Sequence, residues 1–155
     1  MKILLLTTLT VLSLALPSAR ANEPRPNLSG TWKLQPAGSD AGHATDETTM
    51  LVIQENAGSI HIRETRRSNS KDDTSDFTCA TMGQECPMKD GGEKASVSVY
   101  YNGPVLVVLK THGRKGDSVE KRRMELAPSG NSLTLEVIHL EPQEKTEKLV
   151  FAKVN

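Results

Sequence analysis

A chain of 155 residues carrying 19 basic and 19 acidic side chains is long enough for one domain, and too evenly charged to show the footprint of a nucleic-acid or anionic-membrane binder. Its five aromatic residues are Trp32, Phe77, Tyr100, Tyr101 and Phe151. They are too few for the stacking surfaces that usually hold single strands or sugars.

The first segment reads as an address rather than as structure. Lys2 precedes the apolar run Ile3–Leu16, then come Pro17 and the small-residue site Ala19-Arg20-Ala21. This is the pattern of a secretory signal peptide cut after Ala21. The run of 14 residues falls short of the roughly 20 that a spanning helix needs. Residues 1–21 hold no cysteine for lipid attachment. The expected product is a single domain over 22–155, secreted or periplasmic, with no membrane anchor after cleavage. Without Lys2 and Arg20 it carries a net charge of −2.

Asn22–Asn27 is a polar lead-in kept extended by two prolines. Leu28–Leu34 is the first expected strand and holds the sole Trp, Trp32. Pro36–Glu47 has no hydrophobic period and reads as a long loop over one end of the fold. Thr48–Glu55 and Ser59–Arg67 form a hairpin about Asn56-Ala57-Gly58. In its second arm Ile60 and Ile62 alternate with His61 and Arg63. Ser68–Asp73 is turn-like, and Thr74–Ala80 places Phe77 and Cys79 on one face of a strand. A cysteine loop then runs to about Gly92. Glu93–Tyr101 follows, with Val97, Val99 and Tyr101 sharing a face, and Asn102-Gly103 is a hairpin signal because both residues tolerate positive φ. Val105–Thr111 is apolar on both sides. Leu106 and Val108 are read as its second apolar face, covered by the lead-in, a loop or a partner.

Gly113–Gly116 turns into the charged strand Asp117–Leu126. Pro128–Asn131 turns into Ser132–Leu140, and Glu141–Gln143 turns into the last strand, Lys145–Lys153. About nine short strands and no amphipathic helix predict an all-β fold: a single antiparallel up-and-down β-barrel of about 8–9 strands. Pairing the first strand with the last would remove both sheet edges.

Cys79 and Cys86 are the only cysteines. In an exported chain they are expected to form one structural disulfide, which over so short a loop contributes about 2.5 kcal/mol. Nothing supplies further ligands at a metal-binding spacing, so no metal site is expected.

The triplet Gly30-Thr31-Trp32 resembles the G-x-W signature that opens the lipocalins and the wider calycin group. Leu28–Leu34 with Pro36, Ser129–Glu136 and Lys148–Lys153 look like small secreted bacterial lipocalin-like proteins. The resemblance covers the two ends of the exported chain. It implies a lipocalin-like barrel and a ligand cavity. It also implies a basic side chain of the last strand packed across the opening Trp. The family usually has Arg there; Lys153 is the candidate here, in a cation–π contact of about 0.5–2 kcal/mol. Gly30, Trp32 and Lys153 would then close the barrel.

Strand parity supplies the binding candidates. His139 falls on the face of Leu133, Leu135 and Val137; Glu120 and Arg122 fall on the face of Met124 and Leu126. If these faces point inward, Arg122, Glu120 and His139, with Tyr101, would orient a small ligand in an apolar pocket. A bulge would turn them to solvent instead, and an internal Glu120–Arg122 pair would serve structure alone. The basic runs Arg114-Lys115 and Lys121–Arg123 are interspersed with acids and read as solvated. There is no G-x-S-x-G, H-E-x-x-H or phosphate-binding glycine loop. No catalytic residue, no enzyme activity and no cofactor are therefore expected. The expected function is non-catalytic binding of a small, largely apolar molecule outside the cytoplasm. The alternative is a protein-docking or inhibitor module with a filled core, acting through the cysteine loop or the strand around Leu106. An open interior of roughly 300 Å3 or more favours the first, and a filled core with an exposed apolar patch favours the second.

Overall fold

The structure is a computed structural model and describes residues 25–40, 48–68, 71–112, 118–140 and 143–154. The expected signal segment, most of the Pro36–Glu47 loop and the turns at 113–117 and 141–142 lie outside the described residues. Ten strands follow one another: β1 (Gly30–Gln35), β2 (Thr48–Asn56), β3 (Ser59–Ser68), β4 (Lys71–Ala80), β5 (Met82–Asp90), β6 (Glu93–Asn102), β7 (Val105–His112), β8 (Ser118–Leu126), β9 (Ser132–His139) and β10 (Lys145–Val154). Each pairs antiparallel with its neighbours in sequence, and β1 closes on β10, so the sheet is a closed barrel. No helix occurs among the described residues.

The tenth strand is β5, read from sequence as loop. It has no alternating apolar pattern: Met88 is its one buried residue. Its register with β6, from Asp90↔Glu93 to Glu85↔Ser98, makes it a strand. Likewise β3 and β4 stay paired out to Ser68↔Lys71, through the expected turn at Ser68–Asp73. Ladder hydrogen bonds there outweigh a polar sequence. The β6–β7 loop is Gly103-Pro104, since Asn102 pairs with Val105. Gly103 alone takes positive φ there (60°). Proline fixes the second loop position at negative φ, which excludes a type I′ turn and fits type II′.

One half of the interior is a packed apolar core. Leu28, Trp32, Leu51, Ile53, Ile60, Val97, Val99, Leu106, Met124, Leu133, Leu135 and Phe151 are all fully buried. Each contributes about 1.5–3 kcal/mol where its side chain is Val-sized or larger. Leu106 and Val108 belong to this core and are not an outer face, which corrects the sequence reading. The outward residue Val107 is also buried, between its register partners Tyr100 and Arg123.

Trp32 seals the core. Its indole N–H donates to the Leu28 carbonyl at 3.0 Å, and the Lys153 ammonium lies 5.3 Å from its ring centroid. Trp32 and Lys153 are register partners. The aliphatic stem of Lys153 crosses Gly30, where a Cβ would meet Cε at 2.7 Å and φ is +151°. That position therefore requires glycine. The lead-in is pinned over the same end. Glu55 accepts from the Leu28 N–H (2.8 Å) and from the Tyr101 hydroxyl (2.9 Å), while its own N–H donates to Ser29 Oγ (3.0 Å).

Candidate functional site

The inward faces of the strands are apolar toward Trp32 and charged toward the other end. On β8 the inward order is Leu126, Met124, Arg122, Glu120; on β3 it is Ile60, Ile62, Glu64, Arg66; on β7 it is Leu106, Val108, Lys110, His112. No register shift interrupts β7–β8 or β8–β9, so the parity that turns Arg122 and His139 inward is kept. The charged residues form a belt above the apolar core.

Arg122 is the centre of the belt. The residue is 6% exposed, and its guanidinium donates to Glu64 and to Glu120. In the strand order β3 lies five strands from β8 by either route. The Arg122–Glu64 pair therefore spans the barrel from wall to opposite wall. Arg66 donates to Glu64 at 2.7 Å, and His139 Nδ1 lies 3.5 Å from Glu120. A second group sits beside it. Asp90 receives Lys110 at 2.7 Å, lies 3.2 Å from His112 Nε2, and accepts from the Ser75 hydroxyl.

Burial pushes the Glu64 carboxyl up, but Arg122 and Arg66 together outweigh it and hold its pKa at about 2. Glu120, against Arg122, and Asp90, against Lys110 and Ser75, are also held below the ordinary carboxylate range despite burial. Burial works against the charge of Arg122 as well, yet its two carboxylate partners raise its pKa. The belt is thus ionised and internally compensated.

A polar hollow of about 90 Å3 opens in the belt, lined by Glu64, Arg66, Asp73, Ser75, Asp90 and Lys110. Beside it, Thr49 is the register partner of Arg66 and shares the inward face of Leu51 and Ile53. Its hydroxyl is buried and has no hydrogen-bond partner among the described residues. A buried hydroxyl left unpaired costs about 1–3 kcal/mol.

Of the residues expected from sequence, the fold brings Arg122, Glu120 and His139 together. Tyr101 stands apart. It lies at the sealed end, bonded to Glu55 and stacked under Arg25, whose guanidinium is 5.2 Å from the ring centroid. Burial and the adjacent Glu55 carboxylate raise its hydroxyl above the usual tyrosine range. Cys79 and Cys86 form the expected disulfide, Cα to Cα 5.6 Å. Glu64, Arg66, Lys110 and Thr49 were missed, although the parity that found Arg122 also turns them inward. Asp73 and Asp90 lie where no strand was expected. Among the described residues, no group of three His, Cys, Asp or Glu side chains is placed to hold a metal ion.

No protein-family model matches the sequence, and no curated protein is detectably similar to it. Solved structures match in shape. The Schistosoma mansoni fatty acid binding protein in complex with arachidonic acid is 15% identical, with a TM-score of 0.59 over 83% of this chain and 96% of that one. Secretory abundant heat soluble protein 4 from Ramazzottius varieornatus is 13% identical, with a TM-score of 0.62 over 86% and 98%. Human cRBP IV is 20% identical, with a TM-score of 0.56 over 83% and 99%. At these identities the likeness shows the fold, a calycin-like up-and-down barrel.

Proposed function

We propose that this chain is a non-catalytic, extracytoplasmic binding barrel for a small molecule, held at the charged end of the interior. The observation that carries the reading is the belt itself. Paired charges buried in this tier are costly, and well-packed apolar residues of similar volume are often at least as stable. The hollow in the belt, about 90 Å3, is smaller than the roughly 300 Å3 of an open ligand cavity. The belt therefore takes a ligand's polar group alone, oriented by its charged residues and by Thr49, whose hydroxyl has no partner among the described residues. One similarly folded structure is a fatty acid binding protein in complex with arachidonic acid, and a small molecule with an apolar body is the proposed class here. Two features shape it. The core below the belt is filled by side chains, and Arg122 is already compensated by Glu64 and Glu120. The ligand therefore meets the belt with a polar group and does not thread past it to Trp32. Location outside the cytoplasm rests on the signal-like segment at 1–21 and on the Cys79–Cys86 disulfide.

A second reading, docking of a protein through the cysteine loop, is favoured by Met82, which stands 81% exposed at the β4–β5 turn. Native mass spectrometry of protein purified from its own host separates the two. A retained mass of a few hundred daltons is expected. A clean ligand-free mass in every preparation contradicts the binding barrel and leaves the docking reading.

A further inference from the structure

The hollow in the belt is lined by the carboxylates of Glu64, Asp73 and Asp90 and by the cations Arg66 and Lys110. All but one of these charges are already engaged. Glu64 receives Arg66 and Arg122, and Asp90 faces Lys110, His112 and the Ser75 hydroxyl. Asp73 is the exception, with no ion pair or side-chain hydrogen bond among the described residues. Its register partner Arg66 turns its Nε to Glu64 instead, at 2.7 Å.

Asp73 is nonetheless built into the wall. It lies on β4 in parity with Ser75, Phe77 and Cys79, so its half-buried side chain points inward. Its carboxylate packs against Gly91 in the β5–β6 turn, where a Cβ would meet Oδ1 at 2.7 Å and φ is +56°. The Gly91 N–H donates to the Thr74 carbonyl at 3.2 Å, which ties that turn to β4. Glycine thus makes room for the carboxylate at the edge of the hollow. A second free acceptor stands in the same tier. Thr49, 2% exposed, points inward beside its register partner Arg66, and its hydroxyl has no partner among the described residues. Buried polar groups are rarely left so.

These features set the sign and the size of what the hollow accepts. An anion would have to displace Glu64 or Asp90 from its cation, or lie beside Asp73. A metal ion would have to compete with Arg66, Arg122 and Lys110 for the same carboxylates. A group that brings one positive charge and several N–H donors meets Asp73 without breaking a pair. The hollow of about 90 Å3 has room for a head of a few heavy atoms, since a water takes about 30 Å3 in the liquid.

We propose that the hollow seats a primary ammonium group, so that the molecule the belt takes is an amphipathic amine and not a carboxylate. Asp73 is its counter-charge, and the Ser75 and Thr49 oxygens offer lone pairs to its N–H groups. The assignment rests on the belt being the seat of a ligand's polar group, and it names that group.

The test is a titration of the barrel, residues 22–155, labelled at the threonine methyls, with octylamine, octanoate and octanol at neutral pH. Octylamine should bind saturably and shift the Thr49 methyl, and octanoate should bind at least about tenfold more weakly, the scale of a lost charge-assisted contact. Asp73→Asn keeps the side chain's shape and has no ion pair to lose. It should weaken octylamine by the same factor. The parent's preference for the amine tests the proposal independently of that variant. The proposal is overturned if octanoate or octanol binds as tightly as octylamine, if Thr49 does not move, or if Asp73→Asn binds octylamine like the parent. Octanoate or octanol moving Thr49 and Arg122 while octylamine does not would overturn the ammonium head and keep the belt as a polar-group site. That wider reading falls only on a ligand-free mass in every preparation from the host.

Discussion

Glu64 is the residue on which the belt turns. It is almost fully buried, opposite Arg122 and beside Arg66, and its pKa falls from 4.5 to about 2. A carboxyl depressed by folding contributes stability that is fully present above its unfolded pKa and lost as pH falls through the folded one. Glu120 and Asp90 are shifted in the same direction. Stability should therefore hold through neutral pH and fall steadily from about pH 4.5 toward pH 2. Glu64→Gln should cost about 3 kcal/mol at pH 7, because it leaves Arg122 and Arg66 short of a carboxylate. It should also flatten the acid slope. Urea unfolding at a series of pH values, followed by Trp32 fluorescence, measures both. An unchanged slope in Glu64→Gln would place the proton uptake elsewhere.

Strands are legible in this sequence where an apolar alternation marks the inner face, and illegible where it does not. Where apolar and polar residues alternate, as in Ser132–His139 or Ser59–Arg63, pattern alone located the strand and its inner face. Where the inner face turns polar, the apolar signal that marks it is lost, so Glu64, Arg66 and Lys110 look like solvated residues until the strands are placed. β5 was illegible because its strand character comes from pairing with β6 and from the disulfide. That dependence is measurable. Cys79→Ala/Cys86→Ala should cost about 2–3 kcal/mol through chain entropy. Amide exchange should quicken selectively over residues 77–88, while β8 and β9, paired over seven positions, stay protected. Uniform quickening across the barrel would show instead that the seam between β4 and β5, laddered at only two positions, is not a separate weak point.

At the scale of the molecule, the G-x-W opening foretold the closure. β1 pairs with β10, and Trp32 lies against Lys153 over a glycine that no larger residue could replace without displacing the lysine stem. Closure leaves two tiers, an apolar plug toward Trp32 and an ionised belt above it. The division was hidden in the sequence because its decisive contact, Arg122 to Glu64, joins residues 58 apart. The most direct test is side-chain NMR of the barrel, residues 22–155, with the small-molecule fraction of its host. The account predicts perturbation of the Arg122 guanidinium and Thr49 methyl signals, with the Trp32 indole N–H unmoved. Movement of the Trp32 signal with Arg122 and Thr49 unchanged, or no response at any of the three, would contradict it.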